Sequence, residues 1–350
     1  MHISITGTGR CVPTKVVKNS SFSQHQFLDE KGNSFDTPIE EIIEKFSSIT
    51  GIQERRYAAD DLNSSDLAAE AAKIAIESAK IDPESLDYII VAHNFGDTPY
   101  GSTQSVTLPS LASKVKTLLQ INNPDCVAYD LLFGCPGWIE GVIQANAFIK
   151  AGMAKRCLVI GAETLSRVVD HVDRDAMIFA DGAGAAIVEK SENEGILSHK
   201  SVTYTSNNEI DMLYYDKSYA VEDATKFIKM KGRKVYEFAL SNVPQAMKSC
   251  LDLAGVEISD LKKIFIHQAN EKMDEAIIKR FYRLYRAEIP AGILPMNIQL
   301  HGNSSVATVP TLYDQVLRNE LGNHRIQKGD IVLFASVGSG MNINAITYRV

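Results

Sequence analysis

The sequence predicts an α/β protein built from two similar halves, because one pattern of helix, turn and strand occurs twice. Residues 66–94, DLAAEAAKIAIESAKIDPESLDYIIVAHN, combine a helical apolar period with a turn and a β-branched run typical of a buried strand. Residues 242–270, NVPQAMKSCLDLAGVEISDLKKIFIHQAN, follow the same plan half a chain later, so that Leu261 aligns with Leu86. We therefore expect each half to pack helices against a mixed sheet.

A second pair of segments supports the duplication. In GMAKRCLVIGAE and in IQKGDIVLFASVGSG, a basic turn leads into an apolar strand that ends in small residues. The polar stretch KSENEGILSHKS at 190–201 is the predicted seam, which gives an N-terminal half at 1–190 and a C-terminal half at 191–350. We expect the active site where the halves meet, at the ends of strands.

Length and charge restrict the class of protein. The 350 residues are 45% hydrophobic and 23% charged, which suffices for one large domain or two fused cores. A formal net charge of −7 and a pI near 5.7 argue against nucleic acid or an anionic membrane as the main partner. The opening MHISITGTGR has no basic n-region, and no apolar run reaches membrane-spanning length, so we expect a cytoplasmic protein.

The five cysteines are Cys11, Cys126, Cys135, Cys157 and Cys250. They form no C-x-x-C pair, so the sequence predicts neither a disulfide framework nor a zinc site. We expect reduced thiols, most of them packed as small apolar side chains.

Cys135 has a different setting, between the apolar run AYDLLFG and a helical pattern that begins at PGW. A thiol at a helix N-terminus faces unpaired backbone N–H groups and the positive end of the helix dipole. This setting predicts a lowered thiol pKa and a nucleophile. Gly134 and Gly137 permit a sharp strand-to-helix turn and close approach by a substrate. The alternative is a packed thiol at a chain reversal.

Three further motifs carry candidate site residues. His267 leaves a buried strand in IFIHQAN, where a hydrogen-bonded core histidine is the alternative to a catalytic one. Asn303 opens a helix in LHGNSSVAT, where a helix cap is the simpler interpretation. In FASVGSGMN, Gly338 and Gly340 allow backbone N–H groups to face a cavity, and a tight turn is the alternative.

Taken together, Cys135, HQAN, GNSS and GSG resemble a known family in their order and spacing. The sequence resembles the condensing enzymes of the thiolase superfamily, and within them 3-oxoacyl-(acyl-carrier-protein) synthase III, also through LPSLASKVKTLL, GAETLSR, FADGAGAAIVE and MKGRKVYEFA. The resemblance implies a duplicated thiolase-like αβαβα layered fold, a homodimer and a Cys-His-Asn site. It implies no metal or redox cofactor.

The resemblance also implies a role for each site residue. Cys135 matches the cysteine that accepts an acyl group from an acyl-coenzyme A or acyl-carrier-protein primer, and the backbone N–H groups of Cys135 and Ser339 match the oxyanion hole. His267 and Asn303 match the donors to the carbonyl of malonyl-acyl carrier protein as it loses CO2. The implied reaction is a decarboxylative Claisen condensation.

Related chemistries fit the sequence less well. Thiolases use a second cysteine in the C-terminal half, but no cysteine follows Cys250, and SVGSGM replaces the GFGPG loop of plant-type polyketide synthases. A papain-like thiol hydrolase would carry C-G-[SA]-C-[WY] around its nucleophile and does not suit an internal duplication. A non-catalytic partner subunit would not need the intact Cys-His-Asn set.

Four features depart from the family pattern. Lys45 stands where the family often has a tryptophan that stacks on the coenzyme A adenine, and Ile49 stands where an arginine is common. Lys272 replaces the arginine that follows HQAN, and residues 95–106 look like an insertion. These departures leave open a specialised condensing enzyme for aryl-polyene or dialkylresorcinol products.

One basic segment, ATKFIKMKGRKVYEF, stands out against the acidic composition, with Lys226, Lys229, Lys231, Arg233 and Lys234. A solvated helix start is the plain interpretation. In the family this stretch lies near the mouth of the substrate tunnel, so the resemblance implies a docking site for an acidic carrier protein. We assign that docking to Lys231, Arg233, Lys234 and Lys272.

Overall fold

A computed structural model describes residues 2–220 and 224–350 of the chain. The strands within these residues are β1 (His2–Cys11), β2 (Lys15–Lys18), β3 (Glu54–Tyr57), β4 (Tyr88–His93), β5 (Val127–Leu132), β6 (Arg156–Thr164), β7 (Asp181–Ser191), β8 (Ile196–Thr203), β9 (Leu213–Lys217), β10 (Lys226–Met230), β11 (Leu261–Ile266), β12 (Ile331–Gly338) and β13 (Asn342–Arg349). The helices are α1 (Ile39–Thr50), α2 (Ser64–Ala79), α3 (Leu111–Leu118), α4 (Gly137–Lys150), α5 (Gly232–Leu253), α6 (Glu271–Tyr285), α7 (Ile298–His301) and α8 (Thr308–Leu317).

Two mixed sheets form the centre of the fold, and their strand orders correspond. The first has the order β1-β7-β6-β4-β5, with β4 parallel to both β5 and β6, and β7 antiparallel to its neighbours. The second has the order β8-β13-β12-β11, with β11 parallel to β12 and the other pairs antiparallel. Strands β4 and β11, from the two repeated segments, therefore occupy equivalent places, as do β6 and β12. The predicted mixed sheets are confirmed.

Helices cover both sheets and fill the space between them. Helix α2 packs on β1, β6 and β7, and α5 packs on β8, β12 and β13. Helices α4 and α8 each contact strands of both sheets and form the middle layer. Its core contains the aromatic side chains of Trp138, Phe265, Tyr313 and Phe334. The sequence of layers is helices, sheet, helices, sheet, helices.

Small residues allow α2 to lie against β1. An added Cβ atom at Gly7 would be 2.4 Å from the Ala75 carbonyl oxygen, and one at Gly9 would be 2.3 Å from that of Ala71. Both separations are far below van der Waals contact, so each glycine is required by the close approach of the helix backbone. The alanine-rich pattern of residues 66–79 is explained by this contact.

The hairpin of β9 and β10 corrects one sequence expectation. Lys226 and Lys229 were expected in an exposed basic helix start, but both lie in β10. Lys226 is exposed, whereas the Lys229 side chain is 1% exposed and its Nζ lies 2.5 Å from Asp170 and 3.2 Å from Asp173. A buried ammonium needs such partners, because burial without them would be very costly. Lys229 is thus part of the interior.

The predicted seam contains the end of β7 at Ser191 and the start of β8 at Ile196. The division at 190/191 stays a prediction. Across the two described ranges, no helix combines the length and apolarity that a bilayer crossing requires.

Candidate active site

The ends of several strands meet at a cavity of about 380 Å³. Cys135 follows β5, His267 follows β11, and Ser339 follows β12. All three line this cavity together with Asn303 and Gly338. The structure therefore brings together every residue of the predicted Cys-His-Asn set and the predicted oxyanion hole.

A tight turn places Cys135 at the start of α4. Gly134 has φ 75°, a left-handed conformation that favours glycine, and its carbonyl accepts a hydrogen bond of 2.9 Å from the Gly137 N–H. Pro136 occupies the N-cap position, where its missing N–H costs little. The sharp turn predicted from the two glycines is confirmed at Gly134.

The two backbone segments of the predicted oxyanion hole are in contact. A Cβ added at Gly134 would lie 3.0 Å from the Ser339 nitrogen, and one added at Gly338 would lie 2.6 Å from the Cys135 nitrogen. Side chains at either position would separate the two segments. The glycines therefore let the backbone segments of Cys135 and Ser339 approach each other beside the same cavity.

His267 is held by its backbone and buried. Its N–H donates to the Ala335 carbonyl at 2.9 Å, which fixes the residue to the neighbouring strand. Burial lowers the pKa of the imidazole to about 4, against a smaller opposing effect of the Ser305 backbone, so the ring is neutral at pH 7. Nδ1 has no hydrogen-bond partner among residues 2–220 and 224–350. A neutral ring carries a single N–H donor.

The other polar residues of HQAN support the backbone. Gln268 is fully buried, donates to the Pro295 carbonyl at 2.9 Å, and accepts from the N–H groups of Asn297 and Ile298. Asn270 caps α6 by accepting from the Met273 N–H at 3.0 Å. His267 is the polar residue of this motif that lines the cavity.

Asn303 is oriented through both its backbone and its amide. Its N–H donates to the Ile178 carbonyl at 3.0 Å, and its carbonyl accepts from the Ala180 N–H at 2.8 Å. Its Oδ1 accepts from the Ser305 N–H at 2.8 Å. Because the amide oxygen is occupied, Nδ2 presents two N–H donors instead.

Comparison with known proteins identifies the family. Residues 129–205 match the family model described as 3-oxoacyl-[acyl-carrier-protein (ACP)] synthase III, and residues 251–350 match the model of its C-terminal part. The chain is 34% identical over 354 residues to the beta-ketoacyl-[acyl-carrier-protein] synthase III of Erythrobacter litoralis, covering 100% of this chain and 99% of the relative. The chain belongs to the 3-oxoacyl-[acyl-carrier-protein] synthase III family.

A solved structure agrees with this membership. The 3-oxoacyl-[acyl-carrier-protein] synthase III of Aquifex aeolicus superposes with a TM-score of 0.82 at 30% identity, covering 99% of this chain and 100% of that one. The thiolase-like layered fold implied by the sequence is confirmed. As a member of this family, the chain is an acyltransferase that performs a Claisen condensation. Membership of this family excludes the papain-like interpretation.

The expectation of a lowered thiol pKa at Cys135 is wrong. Burial raises the pKa to about 11, and the charge of Glu163 adds to the rise. Two hydrogen bonds oppose the rise, one of 3.2 Å from the Ser305 hydroxyl to Sγ of Cys135 and a weaker one from the backbone N–H of Cys135 itself.

Sequence reasoning missed three residues around the thiol. The Ser305 hydroxyl accepts a hydrogen bond of 3.0 Å from the Asn94 amide, and the same amide donates to the buried carboxylate of Glu163. Ser305 is the last residue of the GNSS motif, which was the sequence signal for this segment. Nothing in HNFGD or GAE marked Asn94 and Glu163, because their contacts join strands that are distant in sequence.

Two of the residues that depart from the family pattern line a neighbouring cavity of about 510 Å³, whereas Lys272 and residues 95–106 do not. Lys45 and Ile49 line it from α1, one turn apart. Met230 and Met273 line both cavities, so the two are adjacent. The second cavity therefore adjoins the one that contains Cys135.

The predicted docking residues lie in two places. A groove beside the second cavity is lined by Lys231, Arg233 and Lys234. Lys272 is exposed near the start of α6 and lies outside the lining of that groove.

Proposed function

We propose that Cys135 carries the acyl group of the primer and that His267 and Asn303 activate the malonyl thioester. The observation that carries this proposal is that Cys135, His267, Asn303 and Ser339 line one cavity. In this cavity, Cys135 can attack the carbonyl carbon of the primer, and His267 and Asn303 can then donate to the carbonyl oxygen of the malonyl thioester.

In the first half-reaction, Sγ of Cys135 attacks the carbonyl carbon of an acyl thioester. The N–H groups of Cys135 and Ser339 stabilise the negative charge on the carbonyl oxygen. The carbon–sulfur bond to the carrier breaks, and the leaving thiolate takes up the proton lost from Cys135. The product is an acyl-cysteine.

In the second half-reaction, the malonyl thioester loses CO2 and its bonding electrons form an enolate. Asn303 Nδ2 and the N–H of neutral His267 donate to the enolate oxygen. The enolate carbon attacks the acyl-cysteine carbonyl and releases the Cys135 thiolate. Because His267 is buried and neutral, its ring can donate a hydrogen bond to the enolate without transferring a proton to it.

Separate assays of the two half-reactions test these roles. We expect His267→Ala and Asn303→Ala to retain acylation of Cys135 while losing about a hundredfold or more of the CO2 release from malonyl-acyl carrier protein. Unimpaired CO2 release by both variants would contradict the assignment. Hydrolysis of acyl thioesters by the wild type, independent of malonyl supply, would contradict the proposed transfer of the acyl group from Cys135 to the enolate.

We also propose that the primer arrives on a carrier protein rather than as free acetyl-coenzyme A. Lys45 and Ile49 line the outer cavity at the positions where the family pattern has an aromatic ring and a guanidinium. Carrier docking would instead use the basic groups of Lys231, Arg233 and Lys234 in the adjoining groove. Lys272, which follows the HQAN motif, is the fourth proposed docking residue.

A homodimer is the expected assembly. Strand β5 is an edge of the first sheet, and it exposes Val127 and Leu132, with Leu108 also 85% exposed. Exposed edges and large apolar side chains of this kind are normally covered. Sedimentation velocity would show the dimer directly. We further propose a cytoplasmic location, where the free thiols of the chain would stay reduced.

A further inference from the structure

We propose that Ser305 and Asn94 form a positioning pair that directs one hydroxyl proton at the sulfur of Cys135. The inference deepens the proposed function, since it rests on Cys135 as the nucleophile. It adds two residues to the Cys-His-Asn set, and neither of them needs to touch the substrate.

The contacts form a connected series. Ser305 Oγ lies 3.2 Å from Sγ of Cys135, and Asn94 Nδ2 lies 3.0 Å from Ser305 Oγ. Glu163 Oε1 accepts both the Asn94 side-chain amide and the Asn94 backbone N–H. Ser305 is 2% exposed and Glu163 is 0% exposed, so water has little access to compete for these bonds.

The donor and acceptor inventory fixes the direction of each bond. Oε1 of Glu163 already accepts from the Asn94 backbone N–H, so this oxygen is an acceptor and the amide nitrogen of Asn94 faces it. That nitrogen has two N–H groups, and the second one points at Ser305 Oγ. A hydroxyl that accepts from an amide has its own proton free to donate elsewhere, and the acceptor in reach is the Cys135 sulfur. Asn94 thereby orients the Ser305 hydroxyl.

Ser305 also connects the thiol to Asn303. Its φ of 52° is left-handed, which is uncommon for a residue other than glycine. In this conformation its N–H donates to Asn303 Oδ1 while its hydroxyl donates to Cys135. One residue therefore positions groups that we assign to both half-reactions, which accounts for the strained backbone at this position.

The hydroxyl bond favours the thiolate over the thiol, because a charged acceptor binds a donor more strongly. It works against two effects, burial of the sulfur and the charge of Glu163. The other titratable groups nearby are His267, which lines the same cavity and is neutral, and His93, whose charge acts on Glu163. Loss of the Ser305 hydroxyl should therefore raise the pKa of Cys135.

The experiment measures the rate of iodoacetamide alkylation of Cys135 against pH, with the adduct located by peptide mass spectrometry. We expect Ser305→Ala and Ser305→Gly to shift the thiol pKa upward by about one unit and to slow alkylation about tenfold at a fixed pH below it. Glycine adopts the left-handed backbone readily, so Ser305→Gly keeps the local fold if alanine disturbs it.

Variants of the second residue test the orientation. Asn94→Asp presents a carboxylate that accepts the Ser305 proton and turns it away from sulfur, so we expect an upward shift at least as large as in Ser305→Ala. Asn94→Ala removes the orienting donor and should give a smaller shift. The matched control is Ser304→Ala, whose hydroxyl lies 3.4 Å from that of Thr308, and it should follow the wild type.

The proposed role of Ser305 is overturned if both Ser305 variants keep the wild-type alkylation profile. The proposed role of Asn94 is overturned if Asn94→Asp keeps that profile. Alkylation needs neither primer nor malonyl thioester. A shifted profile together with acyl transfer to another cysteine would therefore support the positioning pair and reject the proposed function. An unshifted profile together with acyl transfer to Cys135 would reject the positioning pair and support the proposed function.

Discussion

Glu163 is fully buried near the end of β6, and Asn94 donates to its Oε1 through two N–H groups. Its Oε2 has no hydrogen-bond partner within the described part of the chain. Burial raises the pKa of this carboxyl to about 7, and the nearby charge of His93 offsets only part of the rise. The Glu163 carboxyl is therefore costly to ionise, yet it lies near Cys135 and holds Asn94 in place.

This pKa makes a prediction about stability. In the unfolded chain Glu163 ionises near its ordinary value of 4.5, whereas the folded state keeps the proton up to about pH 7. The folded state therefore binds more protons between these values, and its stability falls as the pH rises through them. We expect Glu163→Gln to remove that part of the pH dependence, on the order of 3 kcal/mol.

Urea unfolding at pH 5 and pH 8 measures this effect. The free energy of unfolding of Glu163→Gln, relative to the wild type, should increase from the lower to the higher pH. A constant difference between the two proteins at both pH values would show that Glu163 is ionised in the folded state throughout this range.

At the scale of elements, the β9–β10 hairpin forms one wall of the catalytic cavity. Leu213 and Ile228 from its two strands line that cavity. The hairpin is attached to the segment before β7 by the Ile228 N–H, which donates to Val168 at 2.9 Å, and by the buried Lys229 ammonium with Asp170 and Asp173. The shape of the cavity thus depends on a buried ion cluster.

Breaking this cluster should be costly. Lys229→Met leaves two buried carboxylates without their cation, and we expect it to lower the free energy of unfolding by about 3 to 5 kcal/mol. Lys226→Met, in the same strand but exposed, should change it by about 0.5 kcal/mol or less. Urea unfolding of both variants checks this, and equal losses would contradict a structural role for the cluster.

The elements that could be predicted from sequence are those whose determinants are local. The apolar run before His267 and the glycine beside Cys135 specify β11 and the turn into α4 within a few residues. The burial of Lys229 could not be predicted, because its two partners lie more than fifty residues away and a lysine-rich stretch is usually solvated. The Ser305–Asn94 contact could not be predicted either, because the two residues lie far apart in the sequence and each is an ordinary turn former in its own segment.

The pKa of Cys135 shows the same limit in energetic terms. The position of the thiol at a helix start was predicted correctly, but the sign of its pKa shift was not. The helix end acts locally and can be inferred from the sequence, whereas burial depends on all the segments that close over the sulfur. In this fold burial is the larger effect.

At the scale of the whole molecule, the cavity lined by Lys45 and Ile49 adjoins the cavity that contains Cys135. Stacking of a base on an aromatic ring contributes about 1 to 3 kcal/mol, which is absent if Lys45 faces the nucleotide. We expect a higher kcat/KM for acetyl- and longer acyl-carrier-protein primers than for acetyl-coenzyme A, with one malonyl-carrier-protein extender.

Two variants sharpen this comparison. Lys45→Trp should raise kcat/KM for acetyl-coenzyme A about tenfold and leave the carrier primers unaffected, whereas Lys45→Ala should change neither. Charge reversal at Lys231 and Lys234 should slow the carrier primers most at low salt. A wild-type preference for acetyl-coenzyme A would show that the missing contacts do not matter.

The central claim is that the two halves of the fold converge on Cys135 as the acyl acceptor. Peptide mass spectrometry after incubation with an acyl thioester tests it most directly, with Cys135→Ser as the control. We predict one adduct, on Cys135, that malonyl-acyl carrier protein discharges into a 3-oxoacyl product. An adduct on Cys157 or Cys250 with Cys135 free would contradict the account.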